Sequence, residues 1–373
     1  MSESINIAYT TCFLDVSGVT KLNFDILHAL KRKGHKVHVI TTDDIGDWDY
    51  LFEIHINKPY HLHKISIKDR LNHFIHYLKG NEVKILFITH SLWAYEHLSY
   101  IKKNMPSLKI VDSLHVLEPY CLRGGYPDIS ANKYVHPYID KSILISENLR
   151  SYLQTNYAVD RNKLKVIRNG IHTDQFSFHE RNDNRFKAEI GWSKDHKIIG
   201  FIGRLSEQKR PMMFLEIAKR ITLLDDCVFY IIGTGHLKKS VKKFISRNGL
   251  ANRIVLFDYR HDINNILAST DLLLAPSLYE GAPLTILEAL SAGARVIASD
   301  VGAIKEYVQG HCVLIPHTSQ DKEIDNFVKS SIEIANRDTD QSQTIDYVRN
   351  NFDIKQTVDR YDYEFKVIIP VTN

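Results

Sequence analysis

No run of eighteen apolar residues occurs in this 373-residue sequence, so a membrane-spanning helix is not expected. Cysteine is scarce. Cys12, Cys121, Cys227 and Cys312 are scattered, with no CxxC and no Cys/His pairing, which argues against a disulfide framework and a zinc site and fits a reducing compartment. Charge of one sign is also lacking: 48 Lys and Arg against 44 Asp and Glu give a net +4, which implies no nucleic acid as partner. The surplus is unevenly placed, however. Residues 1–168 hold 22 basic and 17 acidic residues, so peripheral contact with an anionic membrane or acceptor stays open. The polar start, Met1 to Asn6, shows no signal-peptide pattern, so a cytoplasmic protein is expected. A dinucleotide fingerprint is missing too: Gly233-Thr234-Gly235 runs on as His236-Leu237-Lys238 without a third glycine.

The length suggests two domains. Hydrophobic residues at 44% and charged residues at 25% are globular values, sufficient for sizeable cores. In the first half, Ile5–Tyr9 reads as a strand and Asp15–Thr20 as a loop. Helical periodicity then runs from Lys21 to Lys33, with Leu22, Ile26, Leu27 and Leu30 on one face, and Lys36–Ile40 is the next strand. Further strands are expected at Lys84–Ile88, Lys109–Asp112, Ser142–Ile145 and Lys165–Ile167, with helices at Leu92–Lys103 and 147–156. His115 follows a strand end, and Arg123–Pro127 is a turn-rich loop suited to a ligand. Asp47-Trp48-Asp49 and Asp338-Thr339-Asp340 are DxD strings without a convincing preceding strand, and read as chance. His55, His61, His63, His73 and His76 show no metal spacing and read as surface or helix-face residues. No metal site is expected.

The second half is a regular βα series. Strands are expected at Lys197–Ile202, Cys227–Ile232, Ile254–Phe257, Asp271–Ala275 and Arg295–Ala298, with helices at Pro211–Ile221 and His261–Ala268. Such alternation gives a parallel sheet with helices on both faces. A charged helix near 353–366 is expected to pack on a domain surface, bridging back towards the first half.

One stretch organises the chain: Ser277-Leu-Tyr-Glu280-Gly281-Ala282-Pro283-Leu284-Thr285-Ile-Leu-Glu288. It follows the apolar run Asp271–Ala275. Pro283 suits a first helical position, so a helix is expected over Leu284–Ala292. The free amides of Leu284, Thr285 and Ile286 then favour a phosphate. Glu280 and Glu288 bracket these amides, eight positions apart. Carboxylate, amides, carboxylate matches the order sugar, diphosphate, ribose in a nucleotide sugar, provided each carboxylate grips neutral hydroxyls and cations hold the phosphates. Arg204 and Lys209, on the loop after Lys197–Ile202, are the candidate cations.

With these pieces together, the chain resembles the retaining glycosyltransferases of family 4 (group 1). The resemblance is carried by Val166–Phe176; Gly203-Arg204-Leu205 with Lys209; Ile232-Gly-Thr-Gly235; Glu280–Ala289; and Gly293 with Val296–Gly302 and Glu306. It implies an α/β protein of GT-B architecture, two facing Rossmann-like domains with parallel sheets. The first, 1–170 with 353–373, would bind the acceptor, and the second, 171–352, the nucleotide sugar. It further implies that Arg204 and Lys209 contact the diphosphate, Glu280 the donor sugar and Glu288 the ribose. Gly203, Gly281, Ala282, Pro283, Leu284 and Thr285 would line the donor site. Gly18 would line the cleft, and His115 would lie near the reacting sugar. His115, Glu280, Arg204 and Lys209 are thus the candidate catalytic residues. The expected reaction transfers a sugar, with retention, from a UDP- or GDP-linked donor to a glycan or lipid-linked acceptor, without metal or other cofactor. An inactive sugar-nucleotide-binding subunit, an epimerase and a phosphorylase are the alternatives. Ser17-Gly18 stands where two glycines are common, His172 where aspartate is common, Arg295 for proline and Ala303 for glycine. These departures touch local turns and leave the cations and glutamates in place.

Overall fold

The computed structural model describes residues 4–369, apart from Val16, 116–134, 177–184, Lys194, 223–226, Pro283 and 336–339. The loop Arg123–Pro127, Asp338 and Pro283 therefore lie outside the described residues. The chain divides into two compact units, residues 1–170 with 354–373 and residues 171–353. Asp353 goes with the second unit because it bridges to Ile171 and accepts the Thr173 hydroxyl at 2.5 Å.

The first unit holds seven strands: β1 (Asn6–Thr11), β2 (Lys36–Thr41), β3 (Tyr60–His61), β4 (Ile85–Ile88), β5 (Lys109–Leu114), β6 (Lys141–Leu144) and β7 (Leu164–Val166). They lie in the order β3-β2-β1-β4-β5-β6-β7, with every pairing parallel. The expected loop at Asp15–Thr20 is in part helix, which runs from Gly18 to Arg32. Ser17 sets that start: its Oγ accepts from the Thr20 N–H at 3.2 Å, satisfying an amide that the helix leaves without a partner. The helix expected over Leu92–Lys103 is two, Leu92–Glu96 and Leu98–Asn104, separated at His97.

The tail helix, Ile354–Ile368, belongs to this first unit. Tyr361 and Phe365 meet Phe87 of β4 edge-on. The buried Glu364 takes Lys141 at 2.5 Å and Lys165 at 2.8 Å. His35 completes the attachment. Its Nδ1 accepts the Ile5 N–H at 3.1 Å, so a neutral ring must carry its proton on Nε2, where Asp362 lies at 2.9 Å.

The second unit holds β8 (Lys197–Ile202), β9 (Cys227–Ile232), β10 (Ile254–Phe257), β11 (Leu272–Ala275), β12 (Arg295–Ser299) and β13 (Val313–Ile315). Their order is β10-β9-β8-β11-β12-β13, again all parallel. Successive residues serve opposite faces. Leu272 and Leu274 pack with Phe201, Phe214, Phe229 and Phe327, while Leu273 packs with Ile286, Leu290 and Tyr307. Burial on both faces explains why these strands read as unbroken apolar runs. Each such leucine contributes about 1.5–3 kcal/mol. Both sheets reverse direction of growth between their first and fourth strands. In open parallel sheets of this kind, ligands bind beyond the carboxyl ends at that reversal.

Candidate donor site

In the second unit the reversal falls between β8 and β11, so the loops after these two strands are neighbours. Gln208 laces them together: its carbonyl accepts the Leu278 N–H at 2.7 Å, and its side-chain amide donates to the Tyr279 carbonyl at 3.2 Å. Lys209 on the first loop is ion-paired to Glu280 on the second. The Ser277 hydroxyl donates to Glu280 Oε1 at 2.6 Å, the same oxygen that Lys209 holds. Both contacts fall on Oε1, so Oε2 carries neither. The Glu280 side chain is 7% exposed and that of Lys209 is 25% exposed, so the pair sits at the lip of the protein interior.

Two glycines let these loops close up. Gly302, after β12, has φ +60°, and a Cβ there would lie 1.7 Å from the Glu280 carbonyl oxygen. Gly233, after β9, has φ +154°, and a Cβ would lie 1.9 Å from the Gly203 carbonyl oxygen. Only a residue without a side chain fits at either place. Lys209 in turn lies along Gly203, where a Cβ would sit 3.5 Å from its Cγ.

Arg204 is exposed on the same loop. Arg210 is turned elsewhere: at φ 54° it precedes the helix Pro211–Ile221 and pairs at 2.5 Å with the buried Glu323. The expected helix after the glutamate loop runs from Leu284 to Ser291. Gly281, Ala282, Leu284 and Thr285 are half-buried at its approach and first turn, whereas Glu288 is buried. The sequence brought forward Glu280, Glu288, Arg204 and Lys209. It gave Ser277 and Gln208 no role, because a serine or glutamine beside a motif carries no signal until the partner loop is known.

In the first unit, Gly18 is exposed at the start of its helix. His115 follows β5, fully buried, and burial holds its imidazole down to about 3, so it is neutral near pH 7. Of the DxD strings, Asp49 accepts the Gly46 N–H at 3.1 Å and faces His61 at 3.3 Å.

The sequence profile of Glycosyltransferase Family 4 matches residues 16–175, and that of Glycosyl transferases group 1 matches residues 196–331. The chain belongs to glycosyltransferase family 4. This family 4 chain is 32% identical over 185 residues to the Escherichia coli UDP-Gal:alpha-D-GlcNAc-diphosphoundecaprenol alpha-1,3-galactosyltransferase. That match covers 48% of this chain and 46% of the relative, so it spans about half of each. It is 24% identical over 315 residues to the N-acetyl-alpha-D-glucosaminyl L-malate synthase of Bacillus anthracis, covering 80% of each. Among solved structures, a glycosyltransferase from Rickettsia africae ESF-5 superposes with a TM-score of 0.80 at 19% identity, over 99% of this chain and 100% of the other. Anabaena Alr3699/HepE in complex with UDP and glucose gives 0.77 at 16% identity, over 97% and 100%. These likenesses are to GT-B glycosyltransferases, whose fold is built from two Rossmann-like domains with parallel sheets, as this chain's units are.

Proposed function

We propose that the protein transfers a sugar with retention from a UDP- or GDP-linked donor to a glycan or lipid-linked acceptor, and that it needs no metal to do so. The observation that carries this reading is the Lys209–Glu280–Ser277 contact at the sheet reversal, immediately before the helix Leu284–Ser291. Glu280, held through Oε1, offers Oε2 to a hydroxyl of the donor sugar. Lys209, Arg204 and the first amides of the helix receive the diphosphate. Glu288 takes the ribose hydroxyls.

The bond that breaks joins the anomeric carbon to the diphosphate oxygen. Negative charge grows on that oxygen as it leaves, and fixed cations and amides stabilise it more than the uncharged ester bridge. This is the job a divalent metal does elsewhere. The acceptor hydroxyl attacks from the face the diphosphate leaves, and its proton goes to the departing phosphate oxygen. No step needs a second carboxylate as nucleophile. The E. coli relative's name specifies a diphosphoundecaprenol-linked acceptor, which supports a lipid-linked acceptor for this chain, and the basic surplus in residues 1–168 supports an anionic one.

Thermal unfolding in the presence of UDP-glucose, UDP-galactose, UDP-N-acetylglucosamine and GDP-mannose tests the reading. One of them is expected to raise the midpoint, since a ligand at 100 times its Kd adds about 2.7 kcal/mol. A flat response to all four, and to free UDP and GDP, overturns it.

A further inference from the structure

His90 lies two residues past the end of β4, beside the reversal of the first sheet, and the sequence motifs assign it nothing. It is one of few described residues other than glycine with positive φ, at 53°. The Cys12 N–H donates to its carbonyl at 3.1 Å, which ties this turn to the loop after β1. Its ring meets that of His115 edge-on, with centroids 6.0 Å apart. His115 Nε2 lies 2.9 Å from the Ser113 hydroxyl, itself 2.8 Å from that of Thr89. Its Nδ1 is buried and, among the described residues, has no hydrogen-bond partner. One nitrogen of His115 is thus occupied by a hydroxyl chain, and the other has no partner among the described residues. Among the described residues, the charged and titratable groups near the pair include Asp15, whose carboxylate already accepts the Ser17 and Thr20 hydroxyls at 2.8 and 2.7 Å, and Tyr361, which faces Ser113.

We propose that His90 is a positioning residue: its ring, set by the left-handed backbone turn, is the wall that fixes the His115 imidazole so that Nδ1 points to one place. This rests on the reading, implied by the family resemblance, that His115 meets a hydroxyl of a sugar substrate. A hydrogen bond to a sugar hydroxyl is directional, so a ring free to rotate would lose it. The edge-on contact supplies the constraint at right angles to the Ser113 bond. Burial, and to a smaller degree the neighbouring His90, keeps His115 uncharged. A neutral His115 serves as donor or acceptor to a hydroxyl without adding charge to the site.

The test uses the full-length protein with isotope-labelled histidine. In the wild type, His115, identified by its loss in His115→Gln, is expected to give one neutral tautomer with no response to pH between 5 and 8. His90→Asn tolerates the left-handed turn but removes the wall. There, His115 is expected to show averaged tautomers, while the unfolding midpoint stays within a few degrees. His90→Phe keeps a ring and is expected to preserve the wild-type His115 signals. An unchanged His115 spectrum in His90→Asn overturns the proposal, and so does a Phe variant that behaves like Asn.

Turnover then separates this proposal from the reading beneath it, by release of UDP or GDP from the four donors named above. His90→Asn alone is expected to lower kcat at least tenfold with donor KM unchanged, and to cost nothing further in the His115→Gln background. Additive losses sink the positioning role alone. Full activity in His115→Gln sinks the role of His115, whatever the spectra show.

Discussion

Lys209, after β8, is ion-paired to Glu280, after β11, across 71 residues of sequence. The pair joins the residue expected to hold phosphate to the residue expected to hold sugar. Each cancels the other's charge, which would make an acid tolerable in a site proposed to take an anion.

Removing Lys209 leaves Glu280 mostly buried with only the Ser277 hydroxyl on Oε1. Lys209→Ala is expected to lower the unfolding midpoint by a few degrees and kcat/KM by about a hundredfold or more. Glu280→Gln keeps the shape and loses the charge, so it should cost more in turnover than in stability. Urea unfolding and steady-state kinetics on both variants check this. Normal turnover in either defeats the proposed site.

Gly302→Ala is expected to destabilise by about 1–3 kcal/mol, because the added Cβ must displace the Glu280 backbone as well as adopt positive φ. Gly34→Ala is the control. Its φ is +97°, but nothing lies within 4 Å of its Cβ, so it carries the conformational cost alone. Only Gly302→Ala should also reduce donor-dependent stabilisation, and equal behaviour of the two would refute the close-packing argument.

Asp112 sits buried in β5, its Oδ2 accepting the Tyr95 hydroxyl at 3.2 Å, and burial raises it to about 7. Its ordinary value is 3.8. Between the two, the unfolded chain loses the proton while the folded one keeps it, so this group costs stability as pH rises from about 4 to 7. Asp112→Asn should therefore be most stabilising at pH 8, by about 2–4 °C for each kcal/mol gained, with the gain shrinking by pH 5. Calorimetry across that range checks the trend, and a gain that grows in acid contradicts it.

Because fixed cations and amides are proposed to hold the leaving group, turnover should survive EDTA, and the product should keep the donor's anomeric configuration. Proton NMR of the first-formed product reads the configuration. A strict Mg²⁺ or Mn²⁺ requirement, or inversion, counts against the mechanism.

Strands β8, β9 and β10 coincide with the apolar runs expected of them, because the buried β8 and β9 and the half-buried edge strand β10 carry apolar residues on both faces, with no alternation to blur their ends. The edge strands β3 and β13 carry too little apolar pattern to register in the sequence: one is two residues, the other three with Val313 exposed. His97 could not be seen as a break between two helices, since nothing in its type forbids a helix.

What the sequence determined by itself was the alternation of strand and helix, and hence parallel sheets, together with the residue types able to meet a sugar diphosphate. Periodicity is local, and motif residues lie close together in the chain. Which cation meets which carboxylate was decided only by tertiary structure. Lys209 and its neighbour Arg210 look alike in sequence, yet one faces Glu280 and the other Glu323. The left-handed turn at Arg210 and the parallel register set those directions, and neither is written in the pattern of apolar residues.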